Sequence, residues 1–171
     1  SPGAFMIYPA TMAVAVGEHL GLTAEEIIGG IAAYRSVGSR MRVIRKDGGI
    51  IIDDCYNANP QAMAQALETL AKTDVPRRMA VLGDMGELGG LTEKAHREIG
   101  ALTASLGIDI VVAVGEKSRA IAEGNPAALW FATKEEAMET IVANFTAGTA
   151  VLVKASHAME FPKIVKKLED K

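Results

Sequence analysis

Four short stretches of this 171-residue sequence hold side chains able to do chemistry. They are Asp53-Asp54-Cys55-Tyr56-Asn57-Ala58-Asn59-Pro60, Gly83-Asp84-Met85-Gly86-Glu87-Leu88-Gly89, Gly115-Glu116-Lys117-Ser118 and Lys154-Ala155-Ser156-His157. Strands disfavour Asp, so tandem aspartates at the end of an apolar run are unusual, and a carboxylate there can accept hydrogen bonds from ribose hydroxyls. One of Asp53 and Asp54 is therefore expected to meet a ligand. Asn59-Pro60 has a simpler reading as a helix start, with asparagine capping and proline preset at the first helical position, although a ligand role can be shared with the cap. Asn57 can satisfy the turn before it. Lys154 follows an apolar strand directly, where it can meet a phosphate or a carboxylate or simply be solvated.

Other chemistries are disfavoured by spacing. Glu116 separates Gly115 from Lys117, so that stretch fails the Walker phosphate-loop pattern and reads as a strand-to-helix turn. Gly83, Gly86 and Gly89 do not spell G-x-G-x-x-G, which disfavours a nicotinamide enzyme. His19, His96 and His157 lack metal-ligand spacing and Cys55 has no companion cysteine, so a protein-held zinc is not expected. Cys55 reads as a small, partly buried residue at a strand end, and His96 as a border residue beside the Ala95, Ile99, Leu102 stripe of its helix.

The elements that must position these residues follow from periodicity. Helices are predicted at 9–20 and 24–34, the first ended by Gly21, the second opened by the capping box Thr23-x-x-Glu26 and buried through Ile27, Ile28 and Ile31. From Met41 the period becomes two, and Asp47-Gly48 supplies a tight turn into Ile50-Ile51-Ile52, a β-hairpin opening a new domain after a linker at 36–39. Strands at 78–82, 108–114, 129–131 and 149–153 then alternate with helices at 60–72, 92–105, 117–123, 134–145 and 160–168. Met63, Ala66, Leu67 and Leu70 share one face of the first of these helices. Thr133-x-x-Glu136 caps a stripe of Met138, Ile141, Val142 and Phe145 in the fourth. Strand–helix alternation implies parallel strands with right-handed crossovers, hence an α/β fold: a Rossmann-like, doubly wound, mostly parallel sheet with a β-hairpin at its start, preceded by a short helical segment. In such sheets ligands bind beyond the carboxyl ends of the strands, where all four stretches fall.

Composition narrows the partners. With 18 basic against 21 acidic residues and no basic run longer than Lys166-Lys167, a nucleic-acid or anionic-membrane surface is not expected. The longest early apolar stretch, 10–16, is too short for a membrane span. One cysteine rules out an internal disulfide framework and suits a reducing compartment, so the expected location is the cytoplasm. No heptad seam calls for a partner, and a monomer is expected. The opening Ser1-Pro2-Gly3 carries no initiator methionine, as a piece of a longer chain would.

Taken together, the 53–60 stretch, the 83–89 stretch with His96 following, and Val153-Lys154-Ala155-Ser156 before Met159-Glu160 resemble the C-terminal domain of the Mur ligases. Residues from Tyr8-Pro9-Ala10 to Arg40 resemble the last helices of that family's central ATPase domain. The resemblance implies 1–36 as the end of the central domain and 37–171 as the C-terminal domain. The Tyr-Asn-Ala-Asn-Pro form at 56–60 favours the branch that joins D-alanyl-D-alanine to UDP-N-acetylmuramoyl-tripeptide in peptidoglycan synthesis. The reaction the resemblance implies is phosphorylation of the peptide carboxylate by ATP, followed by attack of the dipeptide amine on the acyl phosphate. What it implies for residues is Asp54 at the ribose, Asn57 and Asn59 bordering the nucleotide, Arg40 reaching toward the phosphates, and Lys154 and Ser156 near the dipeptide. Cofactors implied are ATP and Mg2+, the metal held mainly by the central domain; no catalytic residue and no metal ligand is assigned within this chain. Cys55 stands where the family usually has serine, Ser39 and Ala155 where it has glycine, and His157 where it has arginine. The alternatives are another Mur or folylpolyglutamate-type ligase, or a non-catalytic nucleotide-binding module.

Overall fold

The computed structural model describes residues 6–35 and 38–171. Two helices come first, α1 (Ile7–His19) and α2 (Ala24–Ala33). The Thr23 hydroxyl accepts from Glu26 N–H while the Glu26 carboxylate accepts from Thr23 N–H, which is the expected capping box. The two helices meet at Gly17 and Ile27, both buried. Ile28 and Ile31, expected to be buried as well, are 65% and 36% exposed. Their stripe is wider than the contact with α1, and Ile7, Tyr8, Met12 and Val16 of α1 are exposed too. The expected linker at 36–39 and the boundary after residue 36 fall partly on Ser36 and Val37, outside the described residues.

The remaining elements form one layered unit: β1 (Arg42–Lys46), β2 (Gly49–Asp53), α3 (Pro60–Ala71), β3 (Arg77–Gly83), α4 (Thr92–Ser105), β4 (Ile110–Val114), α5 (Arg119–Gly124), β5 (Leu129–Phe131), α6 (Lys134–Asn144), β6 (Thr149–Lys154) and α7 (Pro162–Glu169). Asp47 and Gly48 both take positive φ, 47° and 78°, as the tight turn between antiparallel β1 and β2 requires. Every other pairing is parallel, in the order β1-β2-β6-β3-β4-β5. Strand β4 and helices α5 and α7 each start two residues later than the periodicity predicts, a difference confined to element ends.

The central strands are apolar on both faces because both are covered. Ile52, Leu82, Ala113 and Leu152 pack with Leu67, Leu70 and Ile99 of α3 and α4 on one side. Ile51, Val81, Val112 and Val151 pack with Ile141, Ile164 and Leu168 of α6 and α7 on the other. The chain runs β2, β3, β4, β5 outward and then returns through α6 to insert β6 between β2 and β3. That reversal leaves the carboxyl ends of β2 and β6 side by side at a topological switch point, the place where open α/β sheets hold ligands.

Candidate functional site

Register builds the site. Asp53 of β2 pairs with Val153 of β6, so the next residues, Asp54 and Lys154, leave the sheet as neighbours. Lys154 Nζ donates to Asp54 Oδ2 at 2.6 Å and to the Asn57 carbonyl at 2.8 Å. Met41 N–H donates to the other oxygen, Asp54 Oδ1, at 3.1 Å. Lys154 is only 2% exposed, whereas the Asp54 side chain keeps 14% of its surface.

The two tandem aspartates therefore divide their labour. Asp53 is buried and turns back into the fold, accepting from Arg42 Nε at 3.2 Å and from Cys55 N–H at 3.4 Å. Asp54 opens onto a pocket of about 260 Å3 whose wall includes Arg40, Asn57, Asn59 and Lys154. All four residues expected at the nucleotide are thus brought together. Asn59 Oδ1 caps α3 by accepting Ala62 N–H at 2.8 Å, ahead of Pro60 at the first helical position, and leaves its amide N–H groups for another acceptor. The Arg40 guanidinium lies 3.7 Å from the centre of the Tyr56 ring, a stacked cation–π contact. No simple spacing joins Arg40 to Tyr56.

The neighbouring strand ends are tied to one another. Ser156 Oγ accepts Gly86 N–H at 2.9 Å and Ser156 N–H donates to the Asp84 carbonyl at 3.1 Å, linking the β6 end to the loop after β3. Asp84 Oδ1 accepts both the backbone N–H and the hydroxyl of Ser118, at 2.8 and 2.7 Å, which makes the 115–118 stretch the strand-to-helix turn its spacing suggests. His96, expected at the border of its helix, is instead fully buried. The loop after β3 covers it, and its Nε2 accepts Met85 N–H at 3.0 Å while Nδ1 lies 2.7 Å from the Thr92 carbonyl. Because Nε2 accepts, Nδ1 is the ring nitrogen left to donate to the Thr92 carbonyl.

Cys55 is 1% exposed and its thiol donates to the Val153 carbonyl at 3.3 Å. Burial pushes the thiol pKa well up, with the charges of Asp53 and then Asp54 adding to it, so Cys55 stays protonated and unreactive. Among the described residues, no group of three or more His, Cys, Asp or Glu is arranged to hold a metal ion. Nor is any described helix long and apolar enough to cross a membrane.

The family described as "Mur ligase, glutamate ligase domain" matches residues 39–157. The chain belongs to the Mur ligase family. Its Mur ligase relatives include the UDP-N-acetylmuramoyl-tripeptide--D-alanyl-D-alanine ligase of Bacillus subtilis, 33% identical over 97% of this chain and 38% of that protein. MurF from Acinetobacter baumannii superposes with a TM-score of 0.88 at 31% identity, over 99% of this chain and 38% of that one. MurF ligase from Thermotoga maritima in complex with ADP does so with a TM-score of 0.80 at 28% identity, over 92% of this chain and 36% of that one. The chain thus spans well under half the length of the Mur ligases it matches.

Proposed function

We propose that this chain is the nucleotide-closing C-terminal domain, 37–171, with the last helices of the central ATPase domain, 1–36, of an ATP-dependent ligase that joins D-alanyl-D-alanine to UDP-N-acetylmuramoyl-tripeptide. One observation carries the reading: Arg40, Asp54, Asn57 and Asn59 line a single pocket at the switch point of the sheet. The name borne by the Bacillus subtilis relative and the ADP held by the Thermotoga maritima relative support it. The apolar surface left open on α1 and α2 supports it too, since contiguous exposed apolar side chains mark an interface, here with the rest of the longer protein.

The residues fit a nucleotide chemically. A carboxylate offers about four acceptor sites, of which Asp54 uses one for Met41 N–H and one for Lys154, leaving sites for two ribose hydroxyls. Arg40 is exposed and can swing from Tyr56 toward the polyphosphate, where a guanidinium neutralises charge developing in phosphoryl transfer. Asn57 and Asn59 border the base and sugar. Ser156, on the far side of the β6 end, faces the dipeptide. Mg2+ is held mainly outside this chain. The domain completes the site by closing on it and does no chemistry of its own. The lone protonated thiol suits a reducing cytoplasm.

The test is ADP formation by the full-length protein with UDP-N-acetylmuramoyl-tripeptide and a choice of amines. D-Alanyl-D-alanine should support turnover and single amino acids should not; turnover with a single amino acid instead would move the protein to another ligase branch. The 171-residue chain alone should form no product, and ATP-dependent ligation by it would sink the division of labour.

A further inference from the structure

We propose that Lys154 is a positioning residue of the nucleotide pocket: it holds the Asp54 carboxylate, and the Asn57–Asn59 loop beside it, in the orientation that receives the ribose. The inference rests on the nucleotide reading of the pocket and gives Lys154 a different place from the dipeptide side.

Burial argues first. A lysine that captures a dipeptide carboxylate must present its ammonium to solvent, yet Lys154 is 2% exposed and two of its three donors already point at Asp54 Oδ2 and the Asn57 carbonyl. Pulling it out would leave a carboxylate and a carbonyl without their partner in a poorly solvated corner. Geometry argues second. A terminal carboxylate torsion is soft, and Met41 N–H alone would let the Asp54 group turn about its Oδ1 contact. A second hydrogen bond, short and charge-assisted, on the opposite oxygen fixes the plane of the group. The remaining acceptor sites then have fixed directions, the condition for recognising two adjacent hydroxyls at low entropic cost. The bond to Asn57 acts on the same pocket from the other side, because Asn57 is two residues before the Asn59 cap of α3. Charge argues third. Lys154 cancels the Asp54 charge within the wall, so the carboxylate can face the sugar without repelling the polyphosphate.

The experiment measures ADP binding by titration calorimetry, and steady-state KM for ATP and for D-alanyl-D-alanine, on full-length wild type, Lys154→Met, Asp54→Asn and the double variant. Methionine keeps the length and apolar stem of lysine while removing its charge. Lys154→Met should weaken ADP binding and raise KM for ATP about tenfold or more, the scale of one charge-assisted hydrogen bond, with KM for the dipeptide unchanged. Because Lys154 acts through Asp54, it should cost little further in the Asp54→Asn background. The proposal is overturned if KM for the dipeptide rises while ADP binding is unchanged, if neither moves, or if the two substitutions add fully in ADP binding. Should a single variant fold poorly, the double variant, which carries neither charge, supplies the comparison with wild type: ADP binding as tight as wild type would also overturn the proposal. A wild-type protein that binds ADP but forms no peptide bond would overturn the ligase reading instead, and the titration would still decide the role of Lys154.

Discussion

His96 Nε2 accepts the backbone N–H of Met85 at 3.0 Å, so a fully buried imidazole on α4 holds the loop that follows β3. That loop in turn donates Gly86 N–H to Ser156, which gives the histidine a hand in the shape of the β6 end. His96→Phe fills the space but leaves Met85 N–H buried and unpaired. The expected cost is about 1–3 kcal/mol, seen as a lower urea midpoint at unchanged m-value. An unchanged midpoint would mean that the loop finds another acceptor for that N–H.

The Asp54–Lys154 pair makes a second prediction, about stability rather than ligand binding. Removing one partner of a buried ion pair strands the other, and Lys154 has almost no access to water. Asp54→Ala should destabilise the chain by about 3–5 kcal/mol, and adding Lys154→Met to the same chain should recover most of it. Denaturation of the four proteins gives the coupling directly; additive losses would show that Lys154 is solvated in solution.

Arg40 contrasts with that pair. It is exposed and stacked on Tyr56, so nothing in the core depends on it. Arg40→Ala should change stability by no more than about 0.5 kcal/mol, the usual range for surface positions. In the full-length protein the same substitution should lower kcat for ADP formation by at least tenfold, as expected when a charge that meets the phosphates is lost. Unchanged kinetics would remove Arg40 from the site.

Cys55 sets a pH dependence whose sign can be worked out. Its folded pKa is raised by burial and by Asp53 and Asp54. Above about pH 8.5 the unfolded thiol ionises while the folded one does not, so the folded state binds the extra proton and stability falls as pH rises. Below that pH both forms are protonated and Cys55 contributes no slope. Urea midpoints of wild type and Cys55→Ser should run parallel from pH 6 to 8 and diverge above it, with wild type losing up to about 1.4 kcal/mol more per pH unit. Parallel behaviour up to pH 10 would show that the thiol is accessible.

What the sequence disclosed and what it hid have physical reasons. Local chemistry was legible: the Thr23–Glu26 box, the Asn59 cap with Pro60 and the Asp47-Gly48 turn are written in adjacent residues and appear as expected. The buried face of α3, from Met63 to Leu70, follows from helical period. The Asp54–Lys154 contact spans 100 positions and depends on β6 inserting beside β2, which no periodicity encodes. His96 reads as marginal because the stripe of its helix records burial against the sheet, whereas the loop leading into α4 folds back over this residue. Ile28 and Ile31 show the converse, an apolar pattern of which α1 covers only the Ile27 side.

Close backbone packing against α4 brings α5 to the rim. At Gly100 of α4 an added Cβ would sit 2.1 Å from the Ile121 carbonyl oxygen, and at Gly124 of α5 one would sit 2.1 Å from the Arg97 carbonyl oxygen. These are backbone atoms, so no side-chain rotation can relieve the clash, and the two helices must part. Gly100→Ala should therefore cost about 1–3 kcal/mol or more, despite the better helix propensity of alanine. Gly29 of α2 is the control: nothing lies within 4 Å of its Cβ position, and Gly29→Ala should stabilise by about 0.5–1 kcal/mol. The loss at Gly100 should also spread, because α5 begins just after Ser118, whose N–H and hydroxyl hold Asp84. Hydrogen exchange should accelerate at Ser118 N–H as well as at the α4–α5 contact. Faster exchange at the helices alone would show that Asp84 keeps its grip on the turn while α5 moves.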